Sequence, residues 1–243
     1  MNRTADVVIV GAGVIGSATA FELAKRGYKT LNIDKLPASG YGSTSNSCAI
    51  VRAHYSTWDG VAMAYEGFFY WDDWNKYLEV EDERGMAKYM KTGSIMFMLK
   101  GADHSKKSLN LFKEIGVEHE MWDLETLKKK MPIYSHDSYK GTSRPDEDDS
   151  FFDKSGDQIE GAVWTPGSGY VSDPQLATHN LQIATEAKGG EFLFDAEITE
   201  IRQSNGQIQG VTLKSGEQID CKVLVNVAGP HSFIINQMAG VED

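Results

Sequence analysis

Val7-Val8-Ile9-Val10-Gly11-Ala12-Gly13-Val14-Ile15-Gly16 passes from an unbroken apolar tetrapeptide into a glycine-spaced turn. A short apolar run bounded by a turn signal reads as a strand buried on both faces. Beyond the turn the chain reads as a helix to Arg26, and a second apolar stretch, Thr30-Leu31-Asn32-Ile33, closes on Asp34. GxGxxG alone says little. Here it leaves a strand, opens a helix and meets an acidic residue about 20 positions on, at the end of a second strand, which describes a dinucleotide-binding βαβ unit. Gly11 allows the tight turn, Gly13 lets backbone approach a pyrophosphate, and Gly16 lets the helix pack closely on the sheet. The free N–H groups and dipole of the helix that Val14 and Ile15 begin would then face the phosphates. Asp34, followed by Lys35, would accept hydrogen bonds from a ribose diol, and its charge disfavours a 2′-phosphate, which argues against NADP.

The 243 residues suffice for one large or two modest domains. Hydrophobic residues at 41% and charged ones at 24% are ordinary for a globular chain. No stretch approaches the roughly 20 apolar residues of a membrane span, and Val7 to Val10 is too short for the core of a signal peptide. A formal net charge of −11 opposes nucleic-acid binding through the bulk field. Cys48 and Cys221 have no metal-ligand spacing, so no disulfide framework, zinc site or other metal is expected, and a reducing cytoplasm is the expected location. Cys48 is expected to be a small buried residue. The acidic run Asp146-Glu147-Asp148-Asp149 reads as a solvated loop.

After Asp34 the small, hydroxyl-rich segment Pro37 to Ser47 suits a loop running close to a ligand. Residues 60–78 read as one helix with Ala64, Phe68, Trp71 and Trp74 on one core-facing stripe. A strand over 92–99, a helix over 105–115 ending at Gly116, and a short helix over 124–130 capped by Asp123 follow. Residues 134–160 are polar and irregular, a candidate excursion between domains. Asp173 caps a helix from Pro174 to Lys188. Strands at 192–194 and 198–203, a hairpin over 207–220 turning at Ser215-Gly216-Glu217, and a buried return strand, Val223 to Val227, lead into Ala228-Gly229-Pro230.

Four segments in this order resemble the FAD-dependent D-amino-acid oxidase superfamily, in its sarcosine oxidase and dimethylglycine dehydrogenase branch. They are GAGVIG with Asp34, the serine-rich loop ending Ile50-Val51-Arg52-Ala53-His54-Tyr55, the stretch Gly167 to Pro174, and Val223 to Ser232. The resemblance implies an α/β fold, a Rossmann-type FAD-binding domain interleaved with part of a smaller α+β substrate domain. The expected division is 1–90 and 160–243 for the FAD domain and 91–159 for the substrate part. It further implies FAD as cofactor, with Ser43, Ser45 and Ser47 running along it, Glu197 and Ile198 beside the adenine, and Ala228 and Gly229 beside the pyrophosphate or ribityl chain. Arg52 would bind a substrate carboxylate, for which a planar guanidinium suits bidentate recognition. The alternative is an arginine paired with a structural carboxylate. Tyr55 would be a second wall of the site, and His54 a weaker catalytic candidate, since a lone histidine is more often a packing or hydrogen-bonding residue.

The sequence departs from that pattern at Ala49, where relatives of monomeric sarcosine oxidase character carry an arginine over the flavin. It departs again at Ser172, where the heterotetrameric β subunit has a histidine that anchors FMN, so a covalent FMN is not expected. Family members also continue past this length, so either a fragment or completion by a second polypeptide is expected, with oligomerisation possible. The implied reaction oxidises the C–N bond of a small amino acid or N-methylated amine, passing electrons to oxygen, an electron-transfer flavoprotein or a quinone. Two other readings stand beside it: a non-catalytic nucleotide-binding subunit, and an NAD-dependent dehydrogenase sharing only the first βαβ unit.

Overall fold

The computed structural model describes residues 3–100, 103–140, 144 and 146–241. It separates into two compact units, one formed by residues 1–49, 73–88 and 171–243 and the other by 50–72 and 89–170.

The first unit is built on a parallel sheet in the order Glu191–Leu193, Thr30–Ile33, Val7–Val10, Val223–Asn226. The central strand explains why four successive apolar residues are needed. Val7 and Ile9 pack with Ala20 of the helix Val14–Lys25. Val8 and Val10 face the other way, into a core with Leu31, Ile33, Ile198, Ile201, Val211, Leu213 and Ile219. Each such side chain contributes about 1.5–3 kcal/mol of burial. The helix layer is the pair Val14–Lys25 and Pro174–Ala187. The opposite layer is the antiparallel meander Ile198–Ser204, Gln207–Leu213, Gln218–Asp220, with Arg3–Thr4 added in parallel at its edge. Asp173 caps the second helix through its carboxylate, which accepts from Gln175 and Leu176 N–H at 2.9 Å.

Residues 73–88 are fastened to this unit by Asn180. Its Oδ1 accepts from Trp74 Nε1 (3.3 Å) and Ala87 N–H (2.9 Å), while its Nδ2 donates to Asp82 Oδ2 (2.8 Å) and the Gly85 carbonyl (2.9 Å). Asp82 also meets His179 Nδ1 at 2.5 Å.

In the second unit the strand Gly161–Thr165 runs between Ser94–Met98 and Glu120–Asp123, antiparallel to both. The helices Trp58–Asp72 and Asp103–Ile115 contribute Val61, Phe68 and Phe112 to a core with Val163 and Val117. The helix Leu124–Lys130 contributes Leu127 to another with Trp122 and Ala162. Its cap is as expected, Asp123 Oδ1 accepting from Thr126 N–H at 2.8 Å. A smaller sheet orders Ile50–Val51, Gly169–Val171 and Tyr89–Met90.

Several expectations change. The single helix over 60–78 is two, Trp58–Asp72 and Trp74–Leu78. Its apolar stripe serves separate cores: Phe68 packs with Val163, and Trp74 bonds Asn180. For the same reason the division of the chain differs from 1–90, 91–159 and 160–243, since residues 50–72 and 160–170 pack into the second unit. The irregular stretch 134–160 contains a paired ribbon, Asp137–Tyr139 with Lys154–Gln158. The central strand Gly161–Thr165 and the helix Ser232–Met238 were not foreseen. Among the described residues no helix is long and apolar enough to cross a membrane.

Asn180→Ala removes both ends of the clasp while leaving buried donors and acceptors behind. We expect a loss of about 2–4 kcal/mol in denaturant unfolding, with early proteolysis within 73–88; unchanged stability and protease resistance would show that the clasp does not hold the segment.

Candidate functional site

Three segments of the first unit converge at the end of the strand Val7–Val10. Gly11 has φ +111° and donates its N–H to the Ile33 carbonyl at 2.9 Å. A Cβ on it would lie 2.5 Å from the Val227 carbonyl oxygen, and one on Gly16 would overlap the Gly11 carbonyl oxygen. Ala228 and Gly229 therefore follow directly on a strand end that touches the glycine turn, and Gly229 itself adopts φ +58°. Asp34 joins the third segment to the turn: its Oδ2 accepts from Ala12 N–H at 2.7 Å and its Oδ1 from Leu36 N–H at 2.9 Å. Gly13 is less confined: a Cβ there would meet only the Thr44 side chain, Oγ1 at 3.2 Å, a tight contact that a small shift of Thr44 relieves. Thr44 Oγ1 in turn accepts from Val14 N–H, the first of the helix, at 3.1 Å.

Thr44 is the residue that sequence reasoning passed over. Of the serines around it, Ser45 donates to the Gly42 carbonyl at 3.1 Å, Ser47 Oγ accepts from Ala49 N–H at 3.0 Å, and Ser43 is exposed. The alternation of hydroxyls carries no hint of which one turns toward the helix. Cys48 is exposed, against the expectation of a buried thiol, because it lies in this surface turn outside both cores. Ile15 is exposed on the first turn of the helix.

A cavity of about 530 Å³ is lined by Lys35, Leu36, Phe194, Ala196, Glu197 and Lys214 among others. This size is typical of a small-molecule site. Glu197 and Lys214 form an ion pair at 2.7 Å across it, which holds the Glu197 carboxyl below its usual range. Ile198 is buried in the core, so only its neighbour Glu197 reaches the cavity.

Arg52, Ala53, His54 and Tyr55 lie together in the second unit. Arg52 Nη1 donates to the His54 carbonyl at 2.5 Å, and its guanidinium lies 5.2 Å from the centre of the Tyr55 ring. Among the described residues it has no carboxylate partner, so the structural ion pair considered from sequence is not formed there. The His54 ring is buried, stacked on Phe112 at 5.5 Å, with Nε2 3.0 Å from Thr165 Oγ1. Thr165 Oγ1 also meets Ser94 Oγ at 2.9 Å and Ser168 Oγ at 3.0 Å. Burial, with the Arg52 charge beside it, pushes the imidazole down to about 4. A neutral, enclosed ring is suited to holding this segment in place.

A family model described as FAD dependent oxidoreductase, DAO, matches residues 6–243. The chain belongs to this family. Among its curated relatives is a D-amino acid dehydrogenase of Rhodopseudomonas palustris, 25% identical over 243 residues, covering 86% of this chain and 56% of that protein. Another is a monomeric sarcosine oxidase of Streptomyces avermitilis, 26% identical over 200 residues, covering 82% of this chain and 45% of that protein. The chain thus spans about half the length of these relatives. Its fold is similar to that of L-proline dehydrogenase from P. horikoshii, with a TM-score of 0.79 at 22% identity over 100% of this chain and 57% of that one.

The residues present fit FAD. The helix Val14–Lys25 offers its N-terminal dipole behind a glycine, Gly13, that has no side chain to exclude a phosphate. The Asp34 carboxylate has about four acceptor sites, and the Ala12 and Leu36 N–H groups use two, leaving capacity for ribose hydroxyls.

The glycines separate by role. Gly13→Val is expected to purify with under about a tenth of the parent's flavin absorbance yet with a parental circular dichroism spectrum, because its side chain enters the phosphate approach. Gly16→Ala should instead lower the melting temperature even without ligand. A fully yellow Gly13→Val protein would refute the first assignment.

His54 adds a pH dependence. Between about pH 4 and 6.5 the unfolded chain takes up a proton that the folded one refuses. Stability therefore falls as pH is lowered through that window. Urea unfolding at pH 7 and pH 5 should show a smaller difference for His54→Gln than for the parent; equal differences would mean that His54 is not held neutral.

Proposed function

We propose that this chain carries the cofactor-binding and carboxylate-binding machinery of an enzyme that oxidises the C–N bond of a small amino acid or N-methylated amino acid. The observation that carries the reading is Arg52: a guanidinium held by the His54 carbonyl and the Tyr55 ring, without a carboxylate of its own among the described residues. A charge prepared in this way suits a ligand carboxylate, which its planar fork can engage with two parallel hydrogen bonds. Two of the relatives, a D-amino acid dehydrogenase and a monomeric sarcosine oxidase, are named for substrates that carry a carboxylate, which agrees with such a ligand.

FAD, held at the glycine turn of Gly11, Gly13 and Gly16 with Asp34 toward its ribose, would supply the hydride-accepting chemistry for oxidation of the C–N bond, and the imine or iminium product would be hydrolysed by water. The chain's own task is placement. Arg52 orients the substrate by its carboxylate, and the buried His54, through its main-chain carbonyl, keeps the Arg52 side chain from swinging away. Tyr55 braces the guanidinium from one face. The two electrons would then require an acceptor, for which oxygen, an electron-transfer flavoprotein and a quinone are the candidate classes.

Replacing the fork by a point charge, Arg52→Lys, removes one charge-assisted hydrogen bond, worth about 1.5–3 kcal/mol. The Kd for a carboxylate substrate should rise about ten- to hundredfold while the flavin-to-protein absorbance ratio stays at the parental value. Equal losses in both would assign Arg52 to folding or cofactor retention.

A further inference from the structure

Exposure alternates along Ile50-Val51-Arg52-Ala53. Val51 and Ala53 pack into the core of the second unit beside Val61, Phe68 and Val163, so Ile50 and Arg52 lie on the opposite side of the chain. Antiparallel pairing places Tyr170 directly across from Ile50. Directly opposed residues of an antiparallel pair carry their side chains on one face. Gly169, across from Val51, bears no side chain, and a Cβ there would overlap the Met90 carbonyl oxygen.

The result is a face on which Ile50 is 63% exposed and Tyr170 40%, next to an arginine braced by Tyr55, itself 44% exposed. A single exposed isoleucine needs no explanation. Two large apolar side chains in register, two positions along the chain from an outward arginine whose guanidinium has no carboxylate partner among the described residues, make a face with an apolar and a cationic end. Two positions along an extended chain span about 7 Å, the length of a small carboxylate with a short carbon substituent.

We propose that Ile50 and Tyr170 are specificity-determining residues: they receive the apolar substituent of the ligand whose carboxylate Arg52 holds. The favoured class is then amino acids with an aliphatic side chain or N-alkyl group, and the disfavoured class those with a charged or amide side chain, whose polar end would lose water against Ile50 and Tyr170 without gaining a partner. This inference rests on the carboxylate clamp proposed above.

The test is calorimetric titration of the full FAD-loaded chain with acetate, propionate, butyrate and pentanoate, so that binding is read without turnover. In the parent, affinity should rise about two- to fourfold per added methylene. In Ile50→Ser with Tyr170→Ser the rise should vanish while acetate affinity remains within about twofold of the parent, and Tyr170→Phe alone should keep the rise. Both positions are exposed, so truncation opens no cavity, and circular dichroism verifies the fold. A flat series in the parent, or an undiminished rise in the paired variant, overturns the inference; if Arg52→Lys still weakens every ligand by a common factor, the carboxylate clamp survives that result. Should Arg52→Lys leave the whole series unchanged, the clamp fails and the inference with it.

Discussion

A carbonyl oxygen occupies the space where residue 16 would carry a Cβ. The first turn of the helix Val14–Lys25 descends that close to the Gly11 carbonyl, and Gly11 in turn lies against the Val227 carbonyl. With side chains excluded at both contacts, the helix start, the end of the central strand and the return strand Val223–Asn226 share one small volume. The Asp34 carboxylate completes the junction by bonding Ala12 and Leu36 N–H, and Thr44 reaches Val14 N–H from the following loop. Of these contacts, those to Ala12 and Val14 N–H lie at the helix N-terminus, so a phosphate bound there would depend on the same few residues that join helix and sheet.

The second unit solves a different problem, that of keeping a charged side chain outward without leaving it loose. Val51 and Ala53 anchor the segment in the core, and the His54 ring follows them inward to meet Thr165. What remains outside is the Arg52 guanidinium, bound to a main-chain carbonyl and laid over Tyr55. The buried Thr165 hydroxyl, itself bonded to Ser94 and Ser168, gives the imidazole a polar partner, so a neutral histidine is accommodated at little cost. Charge at Arg52 and neutrality at His54 reinforce each other, since a second positive charge there would have to form in a desolvated place beside the first.

Much of the first unit was legible in the chain. Val7–Val10, the glycine turn, the helix to Lys25 and Thr30–Ile33 stand where the apolar runs placed them, and Asp123 and Asp173 cap the helices they were expected to cap. The helix expected over 60–78 failed for an instructive reason. Its stripe is continuous in sequence, but Asp73 interrupts the helix and the two halves face different cores. Gly161–Thr165 escaped notice because a glycine and an alanine at its start mask a strand that is central only by virtue of its neighbours, Ser94–Met98 and Glu120–Asp123.

By itself the sequence determined the βαβ unit, because local geometry brings a strand, a glycine turn and a helix start together, whereas the family was legible as a resemblance carried by four segments in order along the chain, and that resemblance made Arg52 a candidate. Only the tertiary structure decided that Thr44, among several hydroxyls, meets the helix, that Thr165 holds His54, and that Tyr170 stands across from Ile50. Those pairs are separated by 30, 111 and 120 positions. Periodicity tells which face a residue occupies within its own element, whereas the partner on that face is set by strand register and by how distant segments close on one another, which hydrophobic burial and backbone hydrogen bonding settle only when the chain folds.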